Sequence, residues 1–273
     1  MESFDGPRAD WDGHLVLVHD NERQRRNGVA AWVRRGLDLG AKIIYIEPTD
    51  VPAHRSLGGL LKEHAVDVGE AFESGQLEVF EAAPDVYEPA WQSKVVEAAL
   101  AAGYPSVRWS GEAATAWSVM SPSAHADIEL ATDRLCQEQP VSILCQYPAD
   151  LPQPTLQIVC ALHGAGTREA QLRTSPVPEG VALAGSVDAS NQRLLRSALI
   201  AASSSTADRS VFVVDLRELE FLDVAGARAF LTGTTGHRIR RGTVCLRGPQ
   251  RPVESVLRLL RVDVADGFEV EGD

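Results

Sequence analysis

Short apolar runs separated by stretches of helical periodicity fill roughly the first 165 residues. HLVLVH (14–19) and KIIYIE (42–47) are too short for buried helices and lack polar alternation, the pattern of strands covered on both faces. Between them, NERQRRNGVAAWVRRGLDLG sets Val29, Trp32, Val33 and Leu37 along one helical face and exits at Gly40. The same alternation continues. A helical stretch spans 57–73, QLEVFE (76–81) reads as a strand, 91–102 as a helix and SVRWS (106–110) as a strand. HADIELATDRLCQEQ (125–139) then reads as a helix, VSILCQY (141–147) as a strand and 155–163 as a helix. Strands alternating with helices predict an α/β unit whose parallel sheet is covered by helices.

The pattern changes at GAGTREAQLRTSPVPE (164–179), where Gly, Ser, Thr and Pro dominate. This places a first domain at 1–165, a linker at 166–179 and a second domain at 180–273, part of the linker being able to pair as the second domain's first strand. The second domain carries strands at 180–188, 210–216, 243–248 and 267–272. Its helices fall at 191–205, from 225 onward and at 252–262. It is a small α/β layer.

Composition refines this picture. The chain has 273 residues with 44% hydrophobic and 23% charged content, which is globular. Residues 1–170 hold 25 acidic and 13 basic residues, a balance of -12, while residues 171–273 hold 13 of each. Neither part is basic, which argues against a nucleic-acid partner. Arg238, Arg240, Arg241 and Arg247 read as a solvated strand border. The acidic N-terminal stretch MESFDGPRADWDG reads as no signal peptide, and no run of 18 apolar residues offers a membrane span. Four cysteines, at 136, 145, 160 and 245, have neither zinc-site nor disulfide spacing. A cytoplasmic protein with reduced thiols, no metal and no cofactor is expected.

The obvious catalytic patterns are missing. No GxxxxGK[ST] loop follows the first strand, which exits into HDNERQRRNG; G-x-G in LHGAGTREA lacks the strand context of a dinucleotide site. HExxH and GxSxG do not occur. No catalytic residue is assigned. In a parallel sheet, ligands collect outside the carboxyl ends of the strands. This singles out His19, Arg108, Glu112, Trp117, Tyr147 and His163 as ligand-binding candidates. Arg108, Glu112 and Trp117 either form a pocket with a charge pair and an aromatic wall, or divide into a salt bridge and a core tryptophan. In the second domain, LEFLDVAGARAF (219–230) ends a strand at Asp223, positioned to cap the following helix, with small Ala225 and Gly226 leaving room for a neighbouring backbone.

The second domain resembles a STAS domain, the anti-sigma-factor antagonist fold, over about 178–271. ALAGSVDASNQRLLRSAL, FVVDLRELEFLDVAGARAF and TVCLRGPQRPVESVLRLLRV carry the likeness. The family's usual corner is Asp-Ser-Ser-Gly, its second serine phosphorylated by a kinase-type anti-sigma factor. Asp223 and Gly226 match that motif, but Val224 and Ala225 replace its serines. The resemblance implies a partner-binding corner at Asp223, Val224, Ala225 and Gly226, without the local phosphorylation switch. The first domain resembles the MEDS sensory domain over about 11–165, through its first strand, VRRGLDLGAKIIYI, SVRWSGEAATAW and ELATDRLCQEQPVSILCQY. That family looks like a RecA-type α/β fold without its phosphate loop, which implies sensing of an unidentified small molecule. Together they imply a non-catalytic signalling regulator that binds an anti-sigma factor or related kinase-like regulator. The alternative is a nucleotide-binding or hydrolytic enzyme built on the first domain.

Overall fold

The computed structural model describes residues 12–272; the stretch up to Trp11, most of the segment read as no signal peptide, lies outside the described residues. Two compact units divide between Pro148 and Ala149. The first contains β1 (His14–His19), α1 (Glu22–Asp38), β2 (Lys42–Glu47), α2 (Leu57–Glu63), α3 (Gly69–Glu73) and β3 (Leu77–Glu81). It continues with α4 (Pro89–Ala101), β4 (Val107–Glu112), α5 (Ala113–Trp117), α6 (Pro122–Glu138) and β5 (Val141–Pro148). Its strands are parallel in the order β1–β5–β4–β2–β3.

All residues of β1 and β2 are buried, the apolar runs at their centres as expected of strands covered on both faces and with them the polar ends His14, His19, Lys42 and Glu47. On one face, α1 approaches closely because Gly28 lies over Leu17 and Gly36 over Ile43. A Cβ would come within 2.7 Å of Leu17 Cδ2 and 2.8 Å of Ile43 Cδ1. On the other face, Ile44, Ile46, Val107, Trp109 and Ile143 form a core with Val96 and Ala99 of α4 and Ala116 of α5. Phe80, Trp91 and Trp109 meet edge to face there, with centroids 5.1 and 5.5 Å apart. The expected helix over 57–73 is interrupted between α2 and α3. Ala65 takes φ 53°, and the Asp67 carboxylate accepts a hydrogen bond from Gly69 N at 3.2 Å, a local bond that competes with helix.

The second unit contains α7 (Gln153–Leu162), β6 (Thr167–Arg168), β7 (Leu172–Val177), β8 (Gly180–Val187), α8 (Gln192–Ser205) and β9 (Val211–Leu222). It continues with α9 (Val224–Gly233), α10 (Thr235–Ile239), β10 (Thr243–Arg247), α11 (Arg251–Leu259) and β11 (Phe268–Glu271). The order is β11–β10–β9–β8–β7–β6. Strands β8 to β11 are parallel, whereas β7 is antiparallel to β6 and β8, so the Pro-containing stretch before Gly180 is built into the sheet. Helix α7 packs on α8: Gln153 Nε2 donates to Arg193 O (3.2 Å) and to Ser197 Oγ, and Arg193 Nη2 donates to Leu151 O (2.6 Å).

β9 runs well past the apolar SVFVVDL segment and is irregular. Its pairing with β8 steps from Ala182↔Asp215 to Ala184↔Glu218, and from Gly185↔Leu219 to Ser186↔Phe221. Each step leaves one extra residue on β9, the signature of a β-bulge. Asp215 secures the first bulge by accepting from Arg217 N (3.1 Å) and pairing with its guanidinium. Among the described residues no helix is long and apolar enough to cross a membrane.

Candidate functional site

The most buried face of α6 is polar. His125, Glu129 and Thr132 point inward from it, while Leu130 is 50% exposed. Glu129, 2% exposed, is the hub. Its Oε2 meets His14 Nε2 at 2.9 Å and receives the Cys145 thiol at 3.4 Å; the Cys145 sulfur is itself 3.6 Å from His14 Nε2. Its Oε1 accepts from the Tyr147 hydroxyl at 2.9 Å and lies 3.3 Å from His125 Nε2. This convergence follows from alternation along the strands. His14, Cys145 and Tyr147 project on the α6 side, and the pairing Val16↔Cys145 puts them next to one another.

Burial disfavours a charge on His14, but hydrogen bonds to Asp133 and Glu129 and their negative charges outweigh it and raise its pKa to about 8. Burial, reinforced by Glu129, pushes the Cys145 thiol well above its ordinary range and Tyr147 above the usual tyrosine value. Burial, helped by the neighbouring His14 charge, lowers His125 against the pull of Glu129. Beside this cluster a cavity of about 40 Å³ is lined by Glu129, Cys145, His125, Glu112, Thr132 and Tyr87 among others. Among the described residues, the buried Tyr87 hydroxyl has no hydrogen-bond partner.

The opposite face of the sheet holds a second polar group. Arg25 of α1 donates to Tyr45 Oη (3.1 Å) and Gln146 Oε1 (2.9 Å), and forms a salt bridge with Glu22 (2.6 Å). Gln146 Nε2 donates to Ser110 Oγ (2.9 Å), whose proton goes to Leu144 O (2.7 Å). The network ties the first turn of α1, next to the segment where a phosphate-binding loop would lie, to three strands.

The sequence-selected residues are dispersed. Trp117 and Tyr147 come together, edge to face with centroids 5.8 Å apart and His125 beside them. Glu112 is the N-cap residue of α5 and reaches the cavity wall. Arg108 forms no pair with Glu112. It lies on the α1 face, stacked 3.7 Å from the Trp32 ring and bonded to Asp12 at 2.9 Å; burial draws its pKa down to about 10. His19 is buried at the end of β1. His163 belongs to the second unit, where Nδ1 contacts Val159 O at 2.7 Å. Sequence reasoning passed over His14, Glu129 and Cys145. Their only signal is parity: His14 and Cys145 fall on one strand face, and Glu129 lies one turn after His125.

In the second unit, Asp223 caps α9 by accepting from Gly226 N at 2.7 Å. Gly226 is buried, and a Cβ there would come within 2.5 Å of Val187 and 2.6 Å of Leu222, so the glycine serves internal packing. Ala225 is half-buried, whereas Val224 (44%) and Phe221 (50%) are exposed. Of the arginines that border the sheet, Arg238 stacks on Phe268 at 4.9 Å and Arg247 pairs with Glu271 at 2.9 Å.

Residues 13–164 match the family model described as MEDS, the methanogen/methylotroph, DcmR sensory domain, and residues 170–268 match that described as Mlab, STAS domain. No curated protein matches the chain. Among solved structures, the flagellar accessory protein FlaH from Methanocaldococcus jannaschii is similar at 13% identity and a TM-score of 0.41, over 62% of this chain and 75% of that one.

Proposed function

Because the chain belongs to the MEDS family of sensory domains and carries a STAS domain behind it, we propose that it is a non-catalytic signalling regulator whose sensory unit sets how tightly the STAS unit holds an anti-sigma factor or related kinase-like protein. The succession of the two domains in one chain is the observation that carries this reading. A sensor influences a partner only if its ligand favours one state of the chain over another, so activity is a change in affinity. The partner surface is the start of α9. There Phe221 and Val224 present apolar area, Asp223 fixes the helix entry, and Ala225 carries no hydroxyl to phosphorylate. Control therefore comes from the sensory unit.

The test is calorimetric titration of the full chain with purified anti-sigma factors of the same cell. Binding to one of them that falls at least about tenfold in Val224→Lys, equal to about 1.4 kcal/mol, supports the reading. Wild-type affinity in Val224→Lys and Phe221→Ser for a partner that binds would reject this surface. Binding of none of the anti-sigma factors would reject the partner class.

A further inference from the structure

Within the first unit, three side chains from three elements aim different ligand atoms at one point: His14 Nε2 from β1, Glu129 Oε2 from α6 and Cys145 Sγ from β5. The three ligand atoms lie within 4.8 Å of one another. We propose that His14, Glu129 and Cys145 form a binding site for one divalent transition-metal ion of the zinc type. A tetrahedral ion with bonds of about 2.0–2.3 Å holds its ligands about 3.3–3.8 Å apart. The Sγ–Oε2 and Sγ–Nε2 separations, 3.4 and 3.6 Å, already have that length. The Nε2–Oε2 separation of 2.9 Å is a hydrogen-bond distance and opens by roughly half an ångström to admit the ion.

The outer partners match the arrangement expected of a metal centre. Asp133 Oδ1 lies 3.5 Å from His14 Nδ1, behind the ligand imidazole, and the Tyr147 hydroxyl donates to the Glu129 oxygen that faces away from the ion. A fourth ligand has space. The cavity that touches Glu129 and Cys145 measures about 40 Å³, above the roughly 10–15 Å³ that one water needs. The unpartnered Tyr87 hydroxyl on its wall can hold that water. The donor set selects the cation: sulfur and imidazole disfavour calcium and magnesium and suit zinc, cobalt or copper. On binding, the ion forms bonds to Cys145 Sγ and His14 Nε2; the thiol proton and the proton held between His14 Nε2 and Glu129 Oε2 both pass to solvent, and the proton on His14 Nδ1 stays directed at Asp133.

The site adds a ligand class to the sensory reading, yet it rests on the first unit alone and stands whether or not the STAS unit binds an anti-sigma factor. The experiment is titration of the full, chelator-stripped chain with Co²⁺, followed by absorbance. The expected result is one equivalent of cobalt with a thiolate charge-transfer band and tetrahedral visible bands, displaced by Zn²⁺. Cys145→Ser loses the charge-transfer band with an unchanged circular dichroism spectrum, Cys245→Ser keeps it, and Asp133→Asn weakens binding about 10–100-fold. Should Cys145→Ser fold poorly, X-ray absorption of the zinc-loaded wild type reads the shell directly: one sulfur with lighter atoms supports the site. A shell with no sulfur or with several, no cobalt band in the wild type, or a band that survives in folded Cys145→Ser overturns it.

Discussion

His14, His125, Cys145 and Tyr147 converge on the Glu129 carboxylate inside the first unit. Removing one member of such a buried group leaves polar atoms without their partner, which costs more than the net worth of any single bond. Glu129→Ala should therefore lose about 3–5 kcal/mol of stability in denaturant unfolding, whereas Tyr147→Phe, which removes one donor, should lose about 1–3 kcal/mol. Near-wild-type unfolding of Glu129→Ala would show that the hub contributes little. This cluster was hard to read because a glutamate beside Ile128 and Leu130 looks like the wet side of an amphipathic helix. The fold does the reverse, burying Glu129 and exposing Leu130, since the strand face opposite offers His14, Cys145 and Tyr147. Helical periodicity reports apolar content; it does not report which polar groups find partners across an interface.

At the scale of elements, the strand–helix alternation was legible because β1, β2, α1 and α8 carry the periods their burial demands. The capping role of Asp223 was legible too, from an acidic residue between a strand and a helix. Asp223→Ala should cost about 0.5–2 kcal/mol. Gly226→Ala should cost about 1–3 kcal/mol through the clash with Val187. Both values are read by thermal or urea unfolding of the full chain. The bulges of β9 were not legible, as they depend on pairing with β8. They also reverse side-chain parity: Leu219 and Leu222 are both buried, although three residues apart, and Phe221 turns outward. The Arg217 bonds hold Asp215 below the ordinary carboxylate range. The folded state thus binds this proton less readily than the unfolded one. The resulting stabilisation is complete above the unfolded carboxylate pKa of about 3.9 and fades as pH falls through the lowered folded value. Because the Arg217 side chain is 62% exposed, its worth is about 0–1 kcal/mol. Asp215→Asn should flatten the acid limb of a stability–pH curve below about pH 4, and an unchanged limb would count against the bulge clamp.

At the scale of the whole chain, the sensory family match ends at 164, yet the first compact unit ends at Pro148. The residues between them form α7, and they pack against α8 of the second unit through Leu151, Gln153 and Ser197. A fragment of residues 149–273 should unfold at a higher temperature than one of residues 166–273, which exposes the α8 surface that α7 covers. Equal melting temperatures would mean that α7 adds nothing to that unit. The segment has a consequence for how such chains can be recombined. A crossover at the family border, after residue 164, would join a foreign STAS domain to a helix whose hydrogen-bonding mates, Arg193 and Ser197, stayed behind. A crossover near 148 would carry helix and mates together. Chimeras in this architecture should be cut where the packing ends, sixteen residues before the family border.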